Sequence, residues 1–253
     1  MKKYLTLFFL FMSVSFFGQE YYKITYNIYN NTAIPNTLNA YLLFNVKTNQ
    51  TIYKEDYTTQ KQLNEEVNGE KKLLIKPKAG IDKYFIISND TIQELKLLGN
   101  VYVNVIDVNK GQDWKISNET KTINNYKAIK ATCNFRGRNW EAWFTPDISF
   151  FSGPWKFRGL PGLILQINDE TKKYVYNIEK IETIYDTNII NEVSDLNKKN
   201  LKKLTVKQFI IEDEEARTNA FNAVFEGRGT YTRKKAPRNG IELIYEWEEQ
   251  VTK

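Results

Sequence analysis

The 253 residues include no histidine. That absence removes His-activated nucleophiles, His-ligated zinc and the side chain that ordinarily titrates near neutrality. There is one cysteine, Cys133, so neither an internal disulfide nor a cysteine cluster can form. Cys133 alternates with Ile129, Ala131 and Phe135, the pattern of a small core residue, and as a nucleophile it would lack a His base. No apolar run after residue 18 is long enough to cross a bilayer as a helix. Gly137, Gly153, Gly159 and Gly162 make no phosphate loop, because no Gly-Lys-Ser/Thr follows them. No calcium-loop spacing occurs, and Glu212, Asp213, Glu214 and Glu215 read as a helix start rather than a metal site. Neither a cofactor nor a metal is expected. Internal repeats and domain linkers are also missing.

Charge is present in both signs. Lys and Arg total 36 against 30 acids, a formal +6. Loss of Lys2 and Lys3 with a leader would leave +4. No basic run is set out for nucleic acid, so a solvated mixed surface is the expected use of this charge.

Residues 1–18 have the layout of a secretory signal. Lys2 and Lys3 precede an apolar core from Leu5 to Val14, and Ser13, Ser15 and Gly18 offer small residues for cleavage. No cysteine stands there to accept a lipid. The expected mature chain, 19–253, is one β-rich domain, periplasmic or secreted.

Aromatic residues make up 14% of the chain and, with Ile, Val and Thr, favour strands. Alternation marks strands at Tyr22–Ile28, Leu38–Val46, Thr51–Tyr53, Leu73–Lys76, Tyr84–Ser88, Thr91–Leu97 and Val101–Val108. A meander follows over Trp114–Phe135. Arg136–Asn139 reads as a turn and Trp140–Thr145 as the return strand. On that strand Trp140, Ala142 and Phe144 share one face, and Glu141, Trp143 and Thr145 the other. Tyr174–Ile184 is a further strand and Ile241–Trp247 a last one. Residues 58–70 and 186–203 read as loops. The best helix lies near Thr205–Glu226, with a capping box from Thr205 to Gln208, Gly227 as its stop, and Ala216, Ala220, Ala223 and Val224 on one face. Phe209–Ile211 as strand before a shorter helix is the alternative. Strands this short and regular predict a single curved antiparallel sheet with one main helix in the C-terminal third, resembling the half-barrel of lipoprotein carriers.

The densest stretch is Phe151–Ile167. Trp155 and Phe157 alternate with Lys156 and Arg158, a half-buried strand pattern between Gly153-Pro154 and Pro161-Gly162. Leu160 to Leu163 reads as a type II turn, with Pro161 presetting φ and Gly162 supplying the positive φ. Gly159-Leu160-Pro161-Gly162-Leu163-Ile164 resembles the signature of the GLPGLI family of Bacteroidetes envelope proteins. FRGRNWEAWFTPDI, GPWKF and RNGIEL (Arg238 to Leu243) resemble it as well. The family has no established activity. Its members often carry a Cys where Tyr126-Lys127-Ala128 stands here; with Ala128 in place, no redox or metal role of that Cys carries over. The resemblance implies association with outer-membrane systems, TonB-dependent transporters among them.

Around the signature, Arg136, Arg138, Trp140, Glu141, Trp143, Asp147, Trp155, Lys156 and Arg158 form the candidate binding constellation. Three Trp among Arg side chains could recognise a glycan, a peptide or an acidic head group. The competing reading buries the aromatics in the core, with Arg covering them and pairing with acids, and the area aromatics bury favours it. Glu141 and Asp147 could serve as a hydrolytic carboxylate pair, although an ion pair with a neighbouring Arg is the commoner fate of such acids. The leading expectation is a non-catalytic envelope binding or accessory protein. A carrier of a hydrophobic ligand and a carboxylate-dependent hydrolase are the alternatives.

Overall fold

The structure, a computed structural model, describes residues 21–45, 47–62, 83–184, 200–229 and 231–249. The proposed leader, the expected strand Leu73–Lys76, residues 63–70 and residues 186–199 lie outside these.

The chain runs through β1 (Tyr21–Asn30), β2 (Asn36–Asn45), β3 (Gln50–Gln62), β4 (Lys83–Ser88), β5 (Thr91–Leu98) and β6 (Val101–Val108). It continues through β7 (Lys115–Ile123), β8 (Tyr126–Phe135), β9 (Arg138–Thr145), β10 (Leu163–Asp169), β11 (Tyr174–Ile184) and β12 (Lys203–Thr205). Two helices follow, α1 (Val206–Phe225) and α2 (Glu246–Glu249). The strands form one open, curved sheet in the order β12-β6-β5-β4-β3-β2-β1-β11-β10-β9-β8-β7. Two meanders, β1–β6 and β7–β11, are stitched together where β1 pairs with β11. Among the described residues every strand pairing is antiparallel except β12 on β6.

Tight turns hold the register. Asn124-Asn125 and Arg136-Gly137 each join strands through two residues with positive φ, as type I′ hairpins demand. The turn expected over Arg136–Asn139 is therefore only two residues long, and Arg138 already belongs to β9. β3 extends to Gln62 through a stretch whose polarity suggested loop from residue 58. Its backbone is paired with β2 at Lys61 and Gln62, and ladder hydrogen bonds do not require an apolar side chain.

One face of the sheet is the core face. It carries Ile24, Tyr26 and Ile28 of β1, Leu38, Ala40 and Leu42 of β2, Tyr53, Phe85 and Ile92, then Trp140, Ala142 and Phe144 of β9 and Tyr176 of β11, all buried. The alternation read on β9 is the one observed.

α1 has the capping box between Thr205 and Gln208, and Gly227 follows it with φ +74. The Phe209–Ile211 stretch is helical, not strand. Only Val206 of this helix is buried. Phe209 and Ile210 pack on Val103, Val105, Leu204 and Tyr245, while Ala220, Ala223 and Val224 are exposed. The alanine face was expected to pack; only the first turns reach the sheet, and the later turns meet the tail instead, through Phe225 on Tyr231 and Glu214 with Arg233. The tail is not the expected strand over Ile241–Trp247. The N–H groups of Leu243 and Ile244 both donate to the Arg136 carbonyl, and the Gly240 and Ile241 carbonyls accept from the Arg138 guanidinium. These bonds take the place of a ladder, and α2 begins at Glu246.

Candidate functional site

The signature stretch fills the hollow of the sheet. Phe150 packs on Tyr22 of β1 and Phe44 of β2. Trp155 meets Phe135 and Trp140, and Phe157 meets Trp140 and Tyr176. Lys156 lies over the Phe85 ring of β4. A single short segment touches strands from β4 round to β9, so the sheet curls about it as about a plug. Tyr26 secures it with a 2.7 Å hydrogen bond from its hydroxyl to the Ile164 carbonyl.

The plug is not the half-buried strand that alternation suggested. Ser152 and Arg158 form an isolated bridge, and Phe157 N–H donates to the Pro154 carbonyl across a turn. Trp155 sits in that turn at φ +55, a conformation a bulky residue rarely takes. The turn sends Trp155, Lys156 and Phe157 all inward, at 1%, 2% and 0% exposure. The amide of Asn109, the Gln112 side chain and the Trp114 indole N–H bond the backbone of Lys156 and Arg158 from outside.

Pro161-Gly162 forms a tighter turn than the type II expected. Gly162 N–H donates to the Leu160 carbonyl at 2.8 Å, a three-residue turn centred on Pro161, and Leu163 N–H goes to Ile148 instead. Gly162 has φ +152, and a Cβ there would lie 2.0 Å from the Thr145 carbonyl oxygen. Gly159 leaves room for Gly111, with 3.4 Å between its would-be Cβ and the Gly111 Cα. Leu160, Leu163 and Ile164 are buried in the core, and Pro161 is exposed.

The basic candidates are buried in ion pairs. Lys156 Nζ lies 2.9 Å from Asp107, 2.9 Å from Glu242 and 3.8 Å from Glu94. Arg136 lies 2.8 Å from Asp107 and 3.1 Å from Glu246. Burial works against the Lys156 charge, but Glu242, Glu94 and Asp107 outweigh it and raise its pKa. Burial likewise raises the Glu242 carboxyl, yet Lys156, Lys96 and Arg136 bring it down to about 2. Arg138 bonds Asp169 at 3.0 Å and covers the Tyr174 ring. This clasp joins β5, β6, the plug and the tail. Its acids could have been suspected from sequence, because Glu94, Asp107 and Asp169 stand on the apolar phase of their strands.

The remaining candidates separate. Arg158 is half-buried, its Nη1 has no hydrogen-bond partner, and burial lowers its pKa. Asp147 is exposed beyond the end of β9. Glu141 points to the face opposite the core. There it accepts from the Trp143 indole at 3.1 Å and meets Lys130 at 3.3 Å. Burial raises its pKa, but those two hydrogen bonds lower it further, the opposite of a proton donor poised near neutrality. No contact joins Glu141 to Asp147. Cys133 is buried, and burial pushes its thiol up to about 12. Among the described residues no cluster could hold a metal ion.

Glu141 belongs to a feature that the sequence reading missed. A groove of about 1040 Å³ crosses β7–β11, lined by Lys115, Lys121, Thr132, Glu141, Gln166 and Asn168 among others. It is larger than the 460 Å³ hollow beside α1 or the 280 Å³ one beside Arg136. Its floor is a cross-strand row in register: Lys115, Thr132, Glu141, Asn168, Val175. Next to it, Lys121 bonds Gln166 at 2.6 Å and lies over the Trp143 ring at 4.1 Å. On the other side Asn134 donates to Asn139, which donates to Glu170. Polar residues on the outward phase were legible in each strand. Their union into one groove was not, because it depends on register.

The fold and site define a mainly β protein: an open curved sheet, plugged on one face by its own chain and grooved on the other. Residues 134–166, from the end of β8 to mid-β10, match a family model described as "Protein of unknown function (Porph_ging)". The structure of PNGF-II in the C2 space group is similar over 78% of this chain, at 19% identity and TM-score 0.54. PNGF-II in the P21 space group is similar over 79%, at 17% and 0.51. The chain spans about a third of the length of those structures, 33% and 34%, and at this identity the likeness is one of fold. The LolA superfamily protein NE2245 from Nitrosomonas europaea overlaps at TM-score 0.29 and 9% identity, over 66% of this chain and 87% of its own. No curated protein sequence matches.

Proposed function

We propose that this is a non-catalytic binding protein of the cell envelope, which holds a hydrophilic ligand in the groove over β7–β11. The observation that carries the reading is the division of labour between the two faces. The hollow that would otherwise enclose a ligand is occupied by Trp155, Phe157 and Leu160, so the open binding volume lies on the outward face. The lining there is mainly amides, lysines and carboxylates, with Cys133, Trp140 and Val175 as its apolar members, and most of it can hydrogen-bond a hydrophilic ligand. The signal-like residues 1–18 support the envelope location. No helix among the described residues is long and apolar enough to cross a membrane. Association with an outer-membrane transporter belongs to the same reading and is testable by crosslinking in intact cells.

Side-chain amide NMR spectra of the purified protein test the site. Titrated with soluble oligosaccharides and hydrophilic peptides, at least one probe is expected to shift Asn134, Asn139, Gln166 or Asn168. Shifts confined to the core face, or a stoichiometric lipid in an organic extract, would replace this reading with the carrier. Turnover of a glycan abolished in both Glu141→Gln and Asp147→Asn would replace it with the hydrolase.

A further inference from the structure

The far end of α1 stands away from the sheet. Val206, in the first turn, is buried, and Phe209 and Ile210 pack on β6, β12 and the tail. At 1.5 Å per residue, Phe225 lies about 28 Å further along the axis. Helical spacing brings Phe221, Val224 and Phe225 back to the side that carries Val206 and Ile210. The stripe that meets the sheet in the first turns therefore resumes in the last ones. Its ring contacts there are Phe221 on Phe225 and Phe225 on Tyr231, each at 4.6 Å between centroids. Val224 is 59% exposed and Tyr231 53%. Ala220 and Ala223 are exposed beside them, and Phe221 and Phe225 are half-buried. The result is an apolar tip on a projecting arm. A convex tip needs a matching pocket in a protein partner, whereas the boundary between lipid headgroups and acyl chains deforms to receive it.

The charge beside the tip fits the same surface. Residues 227–241 include five basic side chains and no acid: Arg228, Arg233, Lys234, Lys235 and Arg238. Ion pairs neutralise two of them, Arg233 with Glu214 and Arg238 with Glu248. Lys235 stands by Glu214 and Glu215 in the hollow along α1. Arg228 and Lys234 are exposed, and among the described residues neither makes an ion pair. Glu226 is the one acid next to the tip, so a small excess of positive charge remains there. Long basic side chains around exposed aromatic and aliphatic ones suit a phospholipid interface, because their stems lie along apolar surface while their heads reach phosphates.

We propose that the end of α1 docks the protein on a phospholipid membrane. Phe221, Val224, Phe225 and Tyr231 enter the headgroup boundary, and Arg228 and Lys234 meet the phosphates. The inference does not depend on the groove. The test is flotation of the full protein with vesicles of phosphatidylethanolamine and phosphatidylglycerol, and with vesicles of phosphatidylcholine alone. Binding is expected to the first, and more weakly to the second. Val224→Asp and Tyr231→Ser should each lower the partition about ten-fold. Arg228→Gln and Lys234→Gln should each lower it about three- to five-fold at low salt, and less at high salt. All four side chains are exposed, so these variants should melt with the wild type. Val108→Ser, at a residue 69% exposed on β6, and Lys115→Gln in the groove should float as the wild type does. Failure of the wild type to float overturns the proposal, as does a loss in Val108→Ser equal to that in Val224→Asp. Partition that ignores phosphatidylglycerol and salt overturns the role of Arg228 and Lys234. A dimer in sedimentation velocity that Val224→Asp dissolves, without vesicle binding, would make the occupant a second copy of this chain and also overturn it.

Discussion

Replacing Gly162 by alanine separates steric necessity from turn preference in the signature. A Cβ at this position would lie 2.0 Å from the Thr145 carbonyl oxygen, 2.7 Å from its carbon and 2.9 Å from Pro146 Cα. Ordinary contact begins near 3.4 Å, so the gap must open by more than an ångström. The obstructing atoms are all backbone. Leu163, the next residue, pairs with Thr145 in the β9–β10 ladder, so relief would pull the end of β9 off β10. The φ of +152 adds conformational strain. Overpacking and backbone strain together put the cost at about 3 kcal/mol or more. For a chain of this size that lowers the melting temperature by about 6–12 °C. Gly99→Ala is the control, with φ +58 and nothing within 4 Å of its Cβ, so it should cost only about 1 kcal/mol. Thermal and urea unfolding of both variants, read by circular dichroism, gives the comparison. A Gly162→Ala protein that melts with the wild type, or no lower than Gly99→Ala, would refute the close-approach argument. The groove ligand affinity of its folded fraction should be unchanged.

Trp155→Ala should cost about 3–5 kcal/mol, since the side chain is 1% exposed and touches Phe135, Trp140 and Phe157; a loss below about 1 kcal/mol in urea unfolding would place it outside the core. Lys156→Met should destabilise by about 3–5 kcal/mol, because Asp107, Glu94 and Glu242 keep their charge in a buried site, and a stable variant in the same assay would mean that water reaches the clasp. The Glu242 carboxyl, held at about 2 against an ordinary 4.5, contributes stability that is complete above pH 4.5 and is lost as pH falls from there towards 2; in Glu242→Gln the acid-unfolding curve should lose that component, and an unchanged curve would count against the clasp. Cys133 should resist thiol reagents at neutral pH in the native protein, its thiol being buried and pushed up to about 12, and fast labelling without unfolding would contradict its placement.

Local pattern by itself determined the strands β1, β2, β4–β6, β9 and β11, because side-chain alternation and turn residues act within a few positions. The capping box of α1 was equally legible, since Thr205 and Gln208 satisfy each other within one turn. The composition excluded histidine chemistry and disulfides outright. What tertiary structure decided has a common cause: contacts between residues distant in sequence. Trp155, Lys156 and Phe157 alternate like a strand, yet a turn drives all three inward, because the hollow of the curled sheet has room for them and Asp107 and Glu242 await the lysine. The tail reads as a strand but is bound by Arg136 and Arg138, about a hundred residues earlier. Gly162 was marked by its neighbour Pro161, whereas the carbonyl of Thr145 that excludes a side chain there became visible only when β9 and β10 met. The groove depends most on the third dimension. Four strands each contribute one unremarkable polar residue and β11 a valine, and only the register of five strands aligns Lys115, Thr132, Glu141, Asn168 and Val175 into a floor.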